Sequence, residues 1–271
     1  MTVDNMADRR EIGRLLARGD TDAALEALME AFRVSPDDPD LSFNIAALQR
    51  NAGRHDRALD FFRRALILSP GFPTAFGHAT MTMALVHGPG PALELARRLA
   101  CLMPLSPQIR ALKAQYSYQL GDHPKVPAAS RRSLVLDPGA AGLYRLMGLS
   151  EARLQRTGVA ATALRQACTL QPDWSDARLS LAGARFALGD FEAAHEEASR
   201  ALALGAHRGE AALLRARAAL ALNRTEEADE YLAIAVVEMP ERALDAKVAR
   251  LTMNRADFEH YHAHRPEKDA L

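Results

Sequence analysis

The sequence predicts an all-α array of helix pairs that recurs every 34 residues, and three observations carry the prediction. Prolines stand at Pro36, Pro70, Pro104, Pro138, Pro172 and Pro240, 34 residues apart except where the last step skips a period and Ala206 takes the proline position. With proline at slot 32, the frame divides the chain without a gap into seven windows: 5–38, 39–72, 73–106, 107–140, 141–174, 175–208 and 209–242. Small residues then recur at slots 8, 20 and 27, and Gly or Asn recurs at slot 15. The composition agrees, being rich in Ala, Leu and Arg, with aromatics at only 6%.

Each window reads as helix A, a tight turn, helix B and a proline that stops helix B. Two antiparallel helices pack closely where both present small side chains, and a left-handed residue suits the end of helix A. The first window supplies Ile12, Gly19, Ala24 and Ala31 at these slots. The second is the fullest match, with Ala46, Gly53, Ala58, Phe62, Ala65 and Pro70. In the third, Thr80, Ala92 and Leu99 flank the run His87-Gly88-Pro89-Gly90-Pro91, which predicts a distorted turn. The fourth has Ala114, Gly121, Val126 and Ser133, and Pro124 and Pro127 predict a shortened helix B and a weak point in the array. The fifth brings Gly148, Ala160 and Ala167; the sixth Ala182, Gly189, Ala194 and Ala201; the seventh Ala216, Asn223, Ala228 and Ala235. Residues 1–4 are a short lead. Residues 243–271 open with Ala243, Val248 and Leu251 at helical spacing, as a capping helix would, and run into a polar, His-rich tail.

These residues resemble the tetratricopeptide repeat family over 5–242. The resemblance implies a right-handed superhelical α-solenoid of seven helix-turn-helix units plus a C-terminal capping helix. It also implies a concave face lined by the A helices, on which a scaffold binds a protein or peptide partner. In the family that face is built mainly from slots 2, 5, 6, 9, 12 and 13. Here those slots supply Met81, Leu85, Leu112, Tyr118, Arg145, Leu149, Arg153, Leu179, Phe186, Leu213 and Arg217 as candidate partner-binding residues, joined by Leu146, Leu214 and Leu220. An apolar strip of that length is expected to be covered, by a partner's helix or extended peptide, the chain's own tail, or a second copy. The carboxylate clamp of one family subset would need cations and amides where this chain has Arg9, Gly13, Asn44, Thr74 and His78; only Arg9 and Asn44 fit. The slot-6 asparagine ladder of another subset is absent.

Equal numbers of basic and acidic side chains, 34 of each, speak against binding nucleic acid through overall basicity. The charge is uneven, however: residues 95–172 hold 11 basic and 3 acidic side chains, so the expected partner is apolar with acidic flanks. No apolar run approaches a membrane span, the charged N-terminus does not read as a signal peptide, and two cysteines suit a reducing compartment, so a cytoplasmic location is expected. Phosphate-loop and nucleophile motifs are missing. Cys101 and Cys168 fall on B helices, where buried thiols acting as small hydrophobes are expected. His260, His262 and His264 have metal-ligand spacing but read as part of a polar tail, so neither a metal nor a cofactor is expected. Two non-catalytic roles follow: a stand-alone adaptor, or the accessory array of a transferase or hydroxylase acting in trans or on a longer chain.

Overall fold

The structure, a computed structural model, describes residues 3–205 and 207–239. Among these residues there are fourteen α-helices and no strand. In chain order they are α1 Val3–Arg18, α2 Thr21–Val34, α3 Pro39–Asn51, α4 His55–Leu68, α5 Pro73–His87, α6 Pro89–Leu102, α7 Pro107–Gln119, α8 Lys125–Leu134, α9 Ala141–Arg153, α10 Thr157–Leu170, α11 Ser175–Ala187, α12 Phe191–Ala203, α13 Arg208–Ala221 and α14 Thr225–Glu238. The odd-numbered helices are the A helices and the even-numbered ones the B helices. The expected capping helix over 243–271 and His260, His262 and His264 lie outside the described residues. The chain divides into two compact units between Asp122 and His123, that is, between α7 and α8 inside the fourth window.

The small slots hold the pairs together. At slot 20, Ala24, Ala58, Ala92, Val126, Ala160, Ala194 and Ala228 are all fully buried. At slot 8, Ala46, Thr80, Ala114, Ala182 and Ala216 are equally buried. Gly148, the slot-8 residue of α9, is where the approach is closest. A Cβ added there would stand 2.6 Å from Cγ of Leu164 and 3.1 Å from the carbonyl oxygen of Ala160 on α10. Larger apolar side chains fill the space around these contacts, with Phe62, Phe76, Leu28, Ile45, Ile109, Leu164 and Leu232 almost wholly buried.

Turn chemistry follows the sequence with one exception. Gly53 has φ 75° and Asn223 φ 62°, the left-handed conformation expected at slot 15. In the fifth window the same slot holds Gln155, which adopts φ 61° without being Gly or Asn. The third window is distorted as anticipated: Gly88, at φ 83°, is the single residue between α5 and α6, because Pro89 starts the next helix at once. Prolines also open α3, α5 and α7, and Asp38 and Ser106 accept backbone N–H bonds as N-caps of α3 and α7. Two arginines at slot 4 tie loops down: Nε of Arg110 donates to the Pro104 carbonyl at 2.8 Å, and Nε of Arg178 to the Pro172 carbonyl at 2.7 Å.

With ten residues, α8 is the shortest helix described. Its packing face carries Val126, Pro127, Ser130 and Ser133, and the buried hydroxyl of Ser130 finds no hydrogen-bond partner. A helix that buries a hydroxyl without a partner and little apolar surface opens locally before its neighbours. Amides of α8 are therefore expected to exchange at least tenfold faster than those of α10, measured by hydrogen–deuterium exchange with peptide resolution; equal protection would refute this.

Candidate functional site

The A-helix face of each unit has its own character. In the first unit, α5 presents Met81 and Leu85 to solvent at 56% and 66% exposure, while Leu112 and Tyr118 on α7 are half-buried. Beside them the imidazole of His78 packs against Phe43 and Phe62, with ring centroids 5.3 and 6.0 Å away, and its Nδ1 is hydrogen-bonded to the guanidinium of Arg50. Burial, then the Arg50 charge, push the His78 pKa below the ordinary imidazole value, which keeps the ring neutral and able to accept from Arg50.

In the second unit three of the candidate positions are cationic. The guanidinium of Arg145 on α9 lies 5.2 Å from the centroid of Trp174, and that of Arg217 on α13 lies 4.9 Å from Phe186. Leu149 and Phe186 are half-buried, and Arg153 is exposed. Three expected positions are corrected. Leu179 and Leu213, 9% and 7% exposed, are core residues, as is Leu220. Leu179 packs with Ala201 and Ala211, and Leu213 with Ala212, Ala216 and Leu232. Slot 5 of these helices faces neighbouring helices that carry alanines there, so a leucine sinks in. The apolar strip expected to run over five windows is therefore interrupted.

Several ionic contacts had no sequence signature. Glu151 on α9 is buried at 1% exposure, with Arg131 of α8 at 3.6 Å and Arg156, the N-cap of α10, at 3.4 Å. Arg178 and Glu197 pair at 2.8 Å with both side chains mostly buried, and Arg185 pairs with Asp190 at 2.7 Å. Glu227 accepts from Arg215 at 2.7 Å and meets His195 at 2.9 Å, while Arg215 lies over the ring of Tyr231. Burial works against the Glu227 carboxylate, but the hydrogen bonds from Arg215 and His195 outweigh it and hold its pKa below the usual carboxylate value. Glu151–Arg156 and Arg185–Asp190 span the turn after an A helix, and the other pairs link different helices.

The cysteines separate. Cys168 is buried, and burial pushes its thiol up to about 11, which suits a small hydrophobe and not a nucleophile. Cys101, expected to be buried, is exposed because slot 29 lies at the free end of α6. Among the described residues, no group of three or more His, Cys, Asp and Glu side chains is placed to hold a metal, and no helix is long and apolar enough to cross a membrane.

Helix pairs in 34-residue register, closed by small residues at slots 8, 20 and 27, define an α-solenoid repeat protein. The tetratricopeptide repeat family profile matches residues 14–73 and 145–194. The chain thus carries tetratricopeptide repeats over these two stretches. Its fold is similar to that of PilF of Pseudomonas aeruginosa, at 14% identity and TM-score 0.62, over 84% of this chain and 97% of the other. It is also similar to YrrB, a tetratricopeptide repeat protein with an unusual peptide-binding site, at 17% identity and TM-score 0.55, over 67% and 93% of the two chains. MamA aligns at 19% identity and TM-score 0.54, over 59% and 94%. No curated protein matches the chain significantly.

Proposed function

We propose that this chain is a non-catalytic, cytoplasmic scaffold whose A-helix faces bind an apolar segment of a partner protein flanked by acidic residues. The observation that carries the reading is the make-up of the second unit's A helices, which hold half-buried Leu149 and Phe186, exposed Arg153, Arg145 on the ring of Trp174 and Arg217 on that of Phe186. Met81 and Leu85 add an exposed apolar pair on the first unit. Apolar cover supplies affinity and the cations set orientation and partner choice. That YrrB, which is similar in fold, has a peptide-binding site supports a peptide-binding role.

The test is capture of partners from the native cell by tagged full-length chain, with Leu149→Ser/Phe186→Ser as the comparison. Covering a Leu or Phe side chain contributes about 1.5–3 kcal/mol, so losing both is expected to weaken binding by about two orders of magnitude or more. The helical circular dichroism signal is expected to persist, because neither side chain is fully buried. Arg145→Glu is expected mainly to slow association, more so at low salt. Undiminished capture by the double variant would show that partners use another surface, and recovery of only the chain itself would identify a second copy as the occupant.

A further inference from the structure

Arg50 is a half-buried cation whose close neighbours are neutral. It stands in the last turn of α3, where Nη1 is hydrogen-bonded to Nδ1 of His78 on α5 and Nη2 lies 3.5 Å from Oδ1 of Asn51. No carboxylate among the described residues pairs with it. Arg14, Arg33, Arg63, Arg64, Arg97 and Arg98 of the same unit, by contrast, are each matched to an Asp or Glu. A charge partly removed from water without an opposite charge carries a desolvation penalty. A carboxylate brought by a ligand offsets it through charge-assisted hydrogen bonds.

His78 fixes how this guanidinium is presented. A guanidinium only donates, so Nδ1 of His78 is the acceptor and the ring brings no charge of its own. That ring is held edge-on against Phe43 and stacked on Phe62, which is itself fully buried. With Nη1 committed to His78, the edge formed by Nε and Nη2 remains for a planar acceptor, since neither atom is enclosed and Asn51 is at the limit of hydrogen-bond reach. Gly77, next to His78, adds no side chain, and a Cβ built on it would meet nothing within 4 Å, so the approach is open. From His78 the same stripe of α5 continues through Met81 and Leu85 at i+3 and i+7, about 5 and 10 Å along the helix. Both are exposed.

We infer that the first unit carries its own acid-reading subsite, in which Arg50, positioned by His78, holds the carboxylate of one Asp or Glu of a bound segment while apolar residues beside that acid cover Met81 and Leu85. Three steps of extended chain span about 10 Å, so apolar side chains within about three residues of the acid reach as far as Leu85. The inference rests on the partner-binding reading above and extends it to the first unit, where it names the residue that selects the acid.

The experiment uses the full chain carrying Leu149→Ser/Phe186→Ser, so that the second unit's apolar pair does not contribute. The probes are short peptides of leucine, serine and alanine with one central glutamate or glutamine, acetylated and amidated at their ends and carrying an uncharged fluorophore. Fluorescence anisotropy is expected to show the glutamate peptide binding at least about tenfold tighter than the glutamine peptide, by a ratio that falls with salt. Arg50→Gln is expected to bring that ratio to about one while leaving the glutamine peptide's affinity unchanged. His78→Phe is expected to lower the ratio about threefold, because the guanidinium is no longer preorganised. Met81→Ser/Leu85→Ser is expected to weaken both peptides about tenfold or more and to keep the ratio. The helical circular dichroism signal is expected to persist in each variant, since none of these side chains is fully buried. A ratio near one with Arg50 intact, or an unchanged ratio in Arg50→Gln, would overturn the inference. If the two peptides bind equally and Met81→Ser/Leu85→Ser abolishes that binding, the apolar reading stands for this face and the acid-reading subsite falls. If neither peptide binds, the subsite falls, and partner capture through Leu149 and Phe186 decides the broader reading.

Discussion

Gly148→Val is expected to lower the thermal midpoint of this chain by roughly 5–10 °C, the effect of about 3 kcal/mol in a protein of this size. The reason is local and geometric. Ideal Cβ placement at Gly148 falls 2.6 Å from Leu164 Cγ and 3.1 Å from the Ala160 carbonyl oxygen, and the latter is backbone that cannot rotate away. Overpacking of this kind costs about 1–3 kcal/mol for a methylene or two, and valine adds two further methyls on a stiff χ1. Alanine at the same position recovers up to about 1 kcal/mol of helix propensity, so Gly148→Ala is expected to cost less, about 1 kcal/mol net. Leu164→Ala opens the space that the new Cβ needs. Gly148→Ala and Leu164→Ala should therefore couple favourably in a double-mutant cycle. A valine variant with an unchanged midpoint would mean that α9 and α10 are not held as closely as described.

Arg131→Ala/Arg156→Ala is expected to destabilise the second unit by about 3 kcal/mol, far more than two exposed ion pairs usually contribute. Both arginines are largely exposed, and ordinary surface pairs lose little when cut. Here the partner is different: Glu151 is 1% exposed, so removal of its cations leaves a carboxylate buried without compensation. Glu151→Gln in the same background removes the buried charge and is expected to recover most of the loss, measured by urea denaturation followed by circular dichroism. The contrast between the two variants is the diagnostic outcome. If the double arginine variant loses less than about 1 kcal/mol, the carboxylate is solvated and the triad is an ordinary surface contact.

Period, pairing and turn placement were all legible in the chain because each follows from a rule about one residue at one slot. Proline cannot continue a helix, so helix B ends two residues before Pro36, Pro70, Pro104 and Pro172. Small side chains at slots 8, 20 and 27 allow close helices, and the buried alanines from Ala24 to Ala235 stand where the period puts them. Left-handed residues were equally plain at Gly53 and Asn223, and the run from His87 to Pro91 announced the compressed turn at Gly88. Gln155 had no such sign, since its left-handed backbone is imposed by the helices on either side.

The candidate surface was legible only in outline, because facing a partner and facing the next helix differ by a fraction of a turn. Leu179 and Leu213 share slot 5 with Arg145, yet the leucines are buried against alanines while the arginine lies on Trp174. Burial at that slot depends on the size of side chains more than twenty residues away, such as Ala201 beside Leu179. A similar separation hides the Arg131–Glu151 pair and the Arg217–Phe186 contact. Local residue choice thus decides where helices start, stop and pair, since those are short-range constraints on backbone dihedrals and contact volume. Which side chains stay accessible, and which charges end up without water, is decided by the stacking of neighbouring helices, since desolvation depends on everything packed around a group.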